Sequence, residues 1–291
     1  MARLLVIVNG AAGGGRAARR LEPLLPAFGS AACEVVHTTG PGHATVLARE
    51  AGERDGVVAV GGDGTVHEVV QGLMQCARRP ALGIVPLGTG NSFVRDLGLR
   101  DPGAAVAAIA GGGTRPIDVL EVEHGDGVRY SLNLVSVGFA ADAGERTNRK
   151  YKRLGAAGYV CAVLETLVGL RTHALPFGLD GAPLDDRPFV LLSFCNSTST
   201  GGDMQMAPAA DPGDGLVDVV RIGPMGRRRF LSSFPRIFRG THGEMPEVSF
   251  ARARAVAFAP VGPVSVMIDG ETLPLALRSL VVRPAALRVF A

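Results

Sequence analysis

Residues 61–67 read GlyGlyAspGlyThrValHis, between the apolar run 57–60 and an amphipathic run formed by Val66, Val69, Val70 and Leu73. A buried strand that breaks into a helix across a glycine pair is a common way to build a phosphate cradle. Glycines let the backbone approach an anion, and the first turn of a helix offers unpaired N–H groups. Asp63 adds a carboxylate where a magnesium ion can bridge phosphate oxygens.

Working outward, the first 115 or so residues alternate short apolar strands with helix-like runs, the pattern of parallel strands joined by crossover helices. Strands are expected at about 4–8, 33–38, 56–60 and 82–86, each followed by a loop rich in Gly, Ser, Thr or Asn. Ligands of open α/β sheets collect beyond the carboxyl ends of the strands. The loops at 9–15, 38–43, 61–65 and 87–91 are therefore expected to face one crevice. Beyond residue 114, β-branched and alternating runs at 119–122, 128–137, 189–194, 216–222 and most of 248–290 predict an antiparallel sandwich. Helical inserts are expected at about 152–170 and 226–239. The division expected is an α/β domain over 1–118 and a β-sandwich domain over 119–291, with the last strand able to return to the first domain.

Composition narrows the class. With 291 residues and 40 glycines the chain is long enough for two cores and too glycine-rich for a helical bundle. A formal charge of +3 does not point to nucleic acid, although Arg146, Arg149, Lys150, Lys152 and Arg153 bunch together. Cys33, Cys76, Cys161 and Cys195 are scattered without a CysXXCys pair, which fits a reducing, cytoplasmic setting. No apolar stretch reaches the roughly 20 residues of a membrane helix, so any meeting with a membrane is expected to be peripheral.

Three motifs in order, GlyGlyAspGlyThr at 61–65, ProLeuGlyThrGlyAsn at 86–91 and AspGlyGlu at 269–271, resemble the diacylglycerol kinase catalytic-domain family, which includes bacterial lipid kinases and sphingosine kinases. The resemblance spans nearly the whole chain. It implies an N-terminal α/β domain of the kind shared with NAD kinases, a C-terminal β-sandwich, and an ATP-dependent, magnesium-assisted lipid kinase. Its nucleotide site would include Asn9, Gly10, Ala11, Ala12 and Gly13 of the first loop, then Thr38, then Gly61, Gly62, Asp63, Gly64, Thr65, Val66 and His67, and finally Thr89 and Asn91. Asp63 is the candidate magnesium ligand, and Thr65 is equally suited to capping the following helix.

Departures from the family pattern are visible. Gly10 stands where the first loop usually has proline, Ala12 where it has serine, His43 where an acid follows Thr38, and Ser92 where many bacterial relatives have aspartate. The resemblance also implies that Glu271 or Asp269 takes the proton of the lipid hydroxyl, without choosing between them. A structural metal is implied at Asp211, Asp214 and the carbonyl of Leu216, in a segment that also has the composition of ordinary β-turns. The partners implied are ATP and a lipid at a membrane surface, held by the basic bunch and Arg227 to Arg229. Exposed β edges permit a homodimer. Two other readings stay open: an NAD-kinase-like enzyme acting on a soluble substrate, and a catalytically silent lipid- or nucleotide-binding protein.

Overall fold

The computed structural model describes residues 2–88, 90–151, 155–201 and 203–291, the side chains of 155–157 excepted. The chain folds into two units, one of residues 1–119 with 283–291 and one of residues 120–282.

In the first unit, β1 (Arg3–Val8), β2 (Ala32–His37), β3 (Gly56–Gly61) and β4 (Ala81–Pro86) form a parallel sheet in the order β2-β1-β3-β4. The connecting segments are a distorted turn α1 (Ala12–Gly15), short α2 (Ala17–Leu21), α3 (His43–Arg49) and α4 (Asp63–Leu73), with α5 (Pro102–Gly111) after β4. β3 is buried along its full length, which is why it reads as a continuous apolar run rather than an alternating one. Strand order reverses between β1 and β3, and such a switch point opens a crevice at the carboxyl ends of the strands.

The second unit is built from β5 (Thr114–His124), which enters it at residue 120, β6 (Gly127–Ser131), β7 (Leu134–Gly138), α6 (Phe139–Arg146), α7 (Gly155–Val168), β8 (Phe177–Leu179) and β9 (Leu191–Cys195). It continues through the short pair β10 (Ser199–Thr200) and β11 (Met204–Gln205), then β12 (Val217–Ile222), α8 (Arg227–Arg239), β13 (Val248–Ala253), β14 (Ala255–Phe258), β15 (Val264–Ile268), β16 (Glu271–Leu275) and the first half of β17 (Leu277–Phe290). One sheet runs β13-β12-β9-β7-β15-β16, every pair antiparallel.

Period-two alternation divides this sheet's side chains between two cores. Val135, Val137, Leu192, Phe194, Val217 and Val219 face the opposing strands across the sandwich. Leu134, Leu191, Cys195, Val220 and Ile222 face Phe139, Val163, Leu167, Phe230 and Phe234 of the helices. The helical inserts thus cover the outer face of a sheet that is buried on both sides. The run expected at 128–137 is two strands, because residues 131–134 leave the β6 pairing with β5 and enter the β7 pairing with β9.

Candidate active site

Three loops at the carboxyl end of the first unit's sheet are tied to one another. Asn9, directly after β1, donates from Nδ2 to Thr65 Oγ1 at 3.0 Å, and its Oδ1 accepts the Ala11 amide at 3.0 Å. These bonds cross the switch point from the first loop to the start of α4. The amides of Leu87 and Gly88 both donate to Gly61 O at 2.9 Å, and the Ser92 amide donates to Asp63 Oδ1 at 2.7 Å. A Cβ on Gly88 would collide with Gly62 Cα and one on Gly90 with Asp63 Oδ2, so the 86–91 loop lies directly on the glycine turn. A Cβ on Gly13 would meet Leu87 O at 2.7 Å. The glycines therefore serve close packing between loops.

Gly62 is the extended residue before α4, and Asp63 and Gly64 open the helix, whose first N–H groups and dipole favour an anion. Thr65, Val66 and His67 are buried. Gly10, Ala11 and Ala12 lead into the distorted turn at 12–15. Thr38 follows β2, its amide bonded to Val8 O at 2.9 Å. Asn91 has φ +49° and donates from Nδ2 to Gly88 O, bracing the loop. Thr89 lies outside the described residues. His43 Nδ1 accepts the Thr39 amide at 3.0 Å, the Glu68 carboxylate accepts the Gly42 and Ala44 amides, and the His43 amide donates to Gly40 O at 3.3 Å, so side chains and backbone together cap this helix start. Sequence reasoning did not identify Arg95, whose charge is felt at Asp63. Its pKa is lowered chiefly by burial and further by Arg100, with Asp63 and Asp96 opposing.

In the second unit the AspGlyGlu motif is a two-residue hairpin. Ile268 pairs with Glu271, and Asp269 and Gly270 have φ +49° and +96°, the positive-φ pair such a turn requires. Asp269 is buried. Its Oδ1 accepts from Ser131 Oγ (2.6 Å), Asn133 N (3.0 Å) and Leu134 N (3.1 Å), and its Oδ2 accepts from Leu132 N (3.1 Å). A carboxylate offers about four lone-pair sites, and here they secure the crossover between β6 and β7. Glu271 begins β16 and is half-buried.

The donors of the 211–218 segment are already engaged within the chain. Asp211 Oδ1 accepts Gly213 N at 3.0 Å and Asp214 Oδ1 accepts Leu216 N at 2.9 Å, both bonds closing turns. Arg252 already supplies a cation: Nε donates to buried Asp218 at 3.0 Å, Nη2 to Ala209 O at 2.6 Å, and Nη1 lies 3.8 Å from Asp214. Among the described residues no three His, Cys, Asp or Glu side chains gather as a metal site. This segment fits a guanidinium-closed turn better than a metal.

One unit thus carries a glycine turn at a parallel-sheet switch point, and the other a carboxylate-bearing hairpin on a sandwich. Residues 3–122 match the diacylglycerol kinase catalytic domain, and residues 133–291 match the YegS C-terminal NAD kinase beta sandwich-like domain. The chain is 34% identical over 241 residues to a diacylglycerol kinase of Mycobacterium tuberculosis, covering 81% of this chain and 76% of the relative. It is 31% identical over 278 residues to a diacylglycerol kinase of Bacillus subtilis, covering 93% and 90%. A solved structure of a putative diacylglycerol kinase from Bacillus anthracis superposes with a TM-score of 0.82 at 25% identity, over 99% of this chain and 94% of that one. The chain belongs to the diacylglycerol kinase family of lipid kinases.

Proposed function

We propose that this lipid kinase transfers the γ-phosphoryl group of ATP to the hydroxyl of diacylglycerol or a closely related lipid. The observation that carries the nucleotide half is the direct bonding of three loops at the switch point, Asn9 to Thr65 and Asp63 to Ser92. The amides that open α4 bind phosphate oxygens, while Asn9 and Asn91 keep the flanking loops in register. Asp63, at the glycine turn, fits a magnesium ion carried in with the nucleotide, because Mg²⁺ is commonly held by one or two carboxylates plus phosphates. When bound, that ion offsets charge on the transferred group.

Glu271 is proposed as the base. Asp269 has its oxygens engaged by Ser131 and three amides, so its role is to fix the hairpin that presents Glu271. Glu271 Oε accepts the hydroxyl proton as the lipid oxygen attacks phosphorus in line with the departing ADP oxygen.

The lipid is reached from a membrane surface by the helical face of the second unit. Val160, Leu164 and Val168 of α7 are exposed at i, i+4 and i+8, and Leu231 and Phe238 of α8 are exposed as well. Arg227, Arg228 and Arg239 of α8 are also exposed. The opposite faces of both helices enter the same core cluster. An apolar stripe rimmed by cations suits an anionic lipid surface. The basic bunch contributes less than its composition implies. Lys150 and Arg146 are paired with Glu165, and Lys152 and Arg153 lie outside the described residues. Among the described residues no helix is long and apolar enough to cross a membrane.

Incubation with γ-labelled ATP, magnesium and a lipid panel in detergent micelles tests the proposal. Labelled diacylglycerol, lost in Asp63→Ala and in Glu271→Gln, is the expected result. Label on another lipid corrects the substrate. No labelled lipid, with ATP binding intact, overturns the reaction.

A further inference from the structure

Strand β12 carries a charge where its own alternation calls for an apolar residue. Val217 and Val219 point into the core between the two layers of the sandwich, and the next residue on that face is Arg221. Arg221 is only 9% exposed. Of its guanidinium N–H groups, Nη2 donates to Pro188 O at 2.8 Å; Nε is buried without a hydrogen-bond partner among the described residues. A guanidinium has five donors and keeps its proton in proteins. This buried cation is therefore under-satisfied.

Its surroundings do not supply the missing anion. The carboxylate nearby, Asp185, is engaged by Arg187, with Nε to Oδ1 at 2.8 Å and Nη2 to Oδ2 at 2.5 Å. That pairing holds Asp185 down at about 2. Two guanidiniums thus share one carboxylate, leaving one positive charge in excess. Arg221 responds with a lowered pKa, caused first by burial and then by Arg187, with Asp185 opposing.

The charge borders a cavity of about 220 Å³ whose other walls include Phe177, Leu179, Pro183, Val219 and Ala251. Ser249, which pairs with Arg221 across the ladder, lies at the same cavity. The volume is below the roughly 300–1,000 Å³ of sites for drug-sized ligands, and it suits a small head with a short length of chain. Such a cavity, apolar on most sides with an unneutralised cation on another, selects for a ligand of matching asymmetry.

We propose that this cavity binds an anionic amphiphile, an apolar chain ended by a carboxylate or a phosphomonoester, with its head paired to Arg221 and its chain against Phe177, Leu179 and Val219. The site is separate from the phosphoryl-transfer reading and does not depend on it, because a substrate alcohol has no charge for Arg221 to hold. A bidentate guanidinium pair with either head satisfies the donors that the protein leaves open.

Calorimetric titration of the full chain with decanoate, decyl phosphate and decanol, each below its micelle-forming concentration, tests the site. At least one anion is expected to bind about tenfold or more tightly than decanol. Stronger binding of decanoate assigns a fatty carboxylate, and stronger binding of decyl phosphate assigns a lipid phosphomonoester. Arg221→Met is expected to bring the anions to within about threefold of decanol. Ala251→Leu, which keeps the cation and fills the cavity, is expected to weaken binding of all three chains, and it provides the test if the Arg221 variant does not fold. Anions that bind no better than decanol, or binding indifferent to the cavity-filling variant, would overturn the site. So would an anion preference that survives in Arg221→Met.

Discussion

Asp269 Oδ1 lies 2.6 Å from Ser131 Oγ, a bond that spans 138 residues of sequence and is buried at both ends. Three successive amides complete the shell, so one side chain fixes both the hairpin and the point where the chain changes strand partners. Its neighbour two residues on has a different duty. Asp269→Asn is expected to lower stability by about 3 kcal/mol, because an amide cannot accept from so many donors and leaves buried N–H groups unmet. Glu271→Gln is expected to abolish lipid phosphorylation with the melting temperature nearly unchanged. Chemical denaturation alongside the labelling assay separates the two, and equal stability of both variants would refute the division of roles.

The contact between the 86–91 loop and the glycine turn makes a second expectation. Gly88 and Gly90 have no room for a side chain, the first against Gly62 and the second against Asp63. Gly88→Ala is expected to push the loop off the turn, break the paired amide bonds to Gly61 O and weaken ATP binding by about tenfold or more. Gly98→Ala, at a positive-φ position with open space around it, serves as the control. It is expected to lose only about 1 kcal/mol of stability and none of the nucleotide affinity. Equilibrium nucleotide binding on both variants decides the matter.

These contrasts show what the sequence makes legible. Strands β1, β3 and β4 announce themselves because strands buried along nearly their whole length must be apolar, whereas β2 is largely exposed and mixed in sequence; Gly61 marks the turn because a Cβ there would strike Thr65. The sandwich is legible from the apolar and β-branched runs of β9, β12 and β15 and the turn residues between them. What escapes is long-range polar pairing: nothing near Asp269 in sequence predicts Ser131, and nothing near Asp218 predicts Arg252. The break within 128–137 escapes for the same reason, since polar and apolar residues keep alternating through Ser131, Leu132, Asn133 and Leu134 and the carboxylate that ends the strand arrives from far along the chain. Arg221 is the exception, a charge in phase with Val217 and Val219 and visible to anyone counting by twos.

Asp142 sets an acid limit. It is buried on α6 and paired with Arg171 through two bonds of 2.9 and 3.1 Å and with His173 at 3.1 Å. Burial alone would raise its pKa, yet the bonds from His173 and Arg171 hold it below the ordinary 3.8. The folded value lies below the unfolded one, so the contribution is full above about pH 4 and is lost as pH falls through the folded value. Asp142→Asn is expected to lower stability by about 2 kcal/mol at neutral pH and to flatten the acid limb of the melting curve. Parallel limbs for the native and variant chains would exclude Asp142 as their source.

The helical face of the second unit is expected to govern partition onto membranes. Replacing Arg227, Arg228 and Arg239 together by glutamate should reduce sedimentation with phosphatidylglycerol vesicles by well over tenfold, since each basic residue near an anionic surface contributes about 1 kcal/mol. Leu164→Ser with Val168→Ser should weaken binding to both anionic and zwitterionic vesicles, because those exposed side chains supply apolar contact rather than charge. Phosphorylation of a short-chain lipid dispersed as monomers should persist in both variants. Unaltered sedimentation would place the docking face elsewhere.

Arg252 supplies the last expectation, which concerns metal removal. With Asp214 and Asp218 both addressed by its guanidinium, the 211–218 turn holds its own cation. The Asp218 carboxyl is raised by burial even with Arg252 beside it, so loss of that partner leaves a buried charge without compensation. Arg252→Met is therefore expected to cost about 2–3 kcal/mol, and millimolar Mg²⁺ or Ca²⁺ is expected to restore part of it. In the native chain, by contrast, EDTA should leave the melting temperature where it was. A fall on chelation, reversed by adding the metal back, would instead put an ion on Asp211 and Asp214 and make Arg252 its neighbour rather than its replacement.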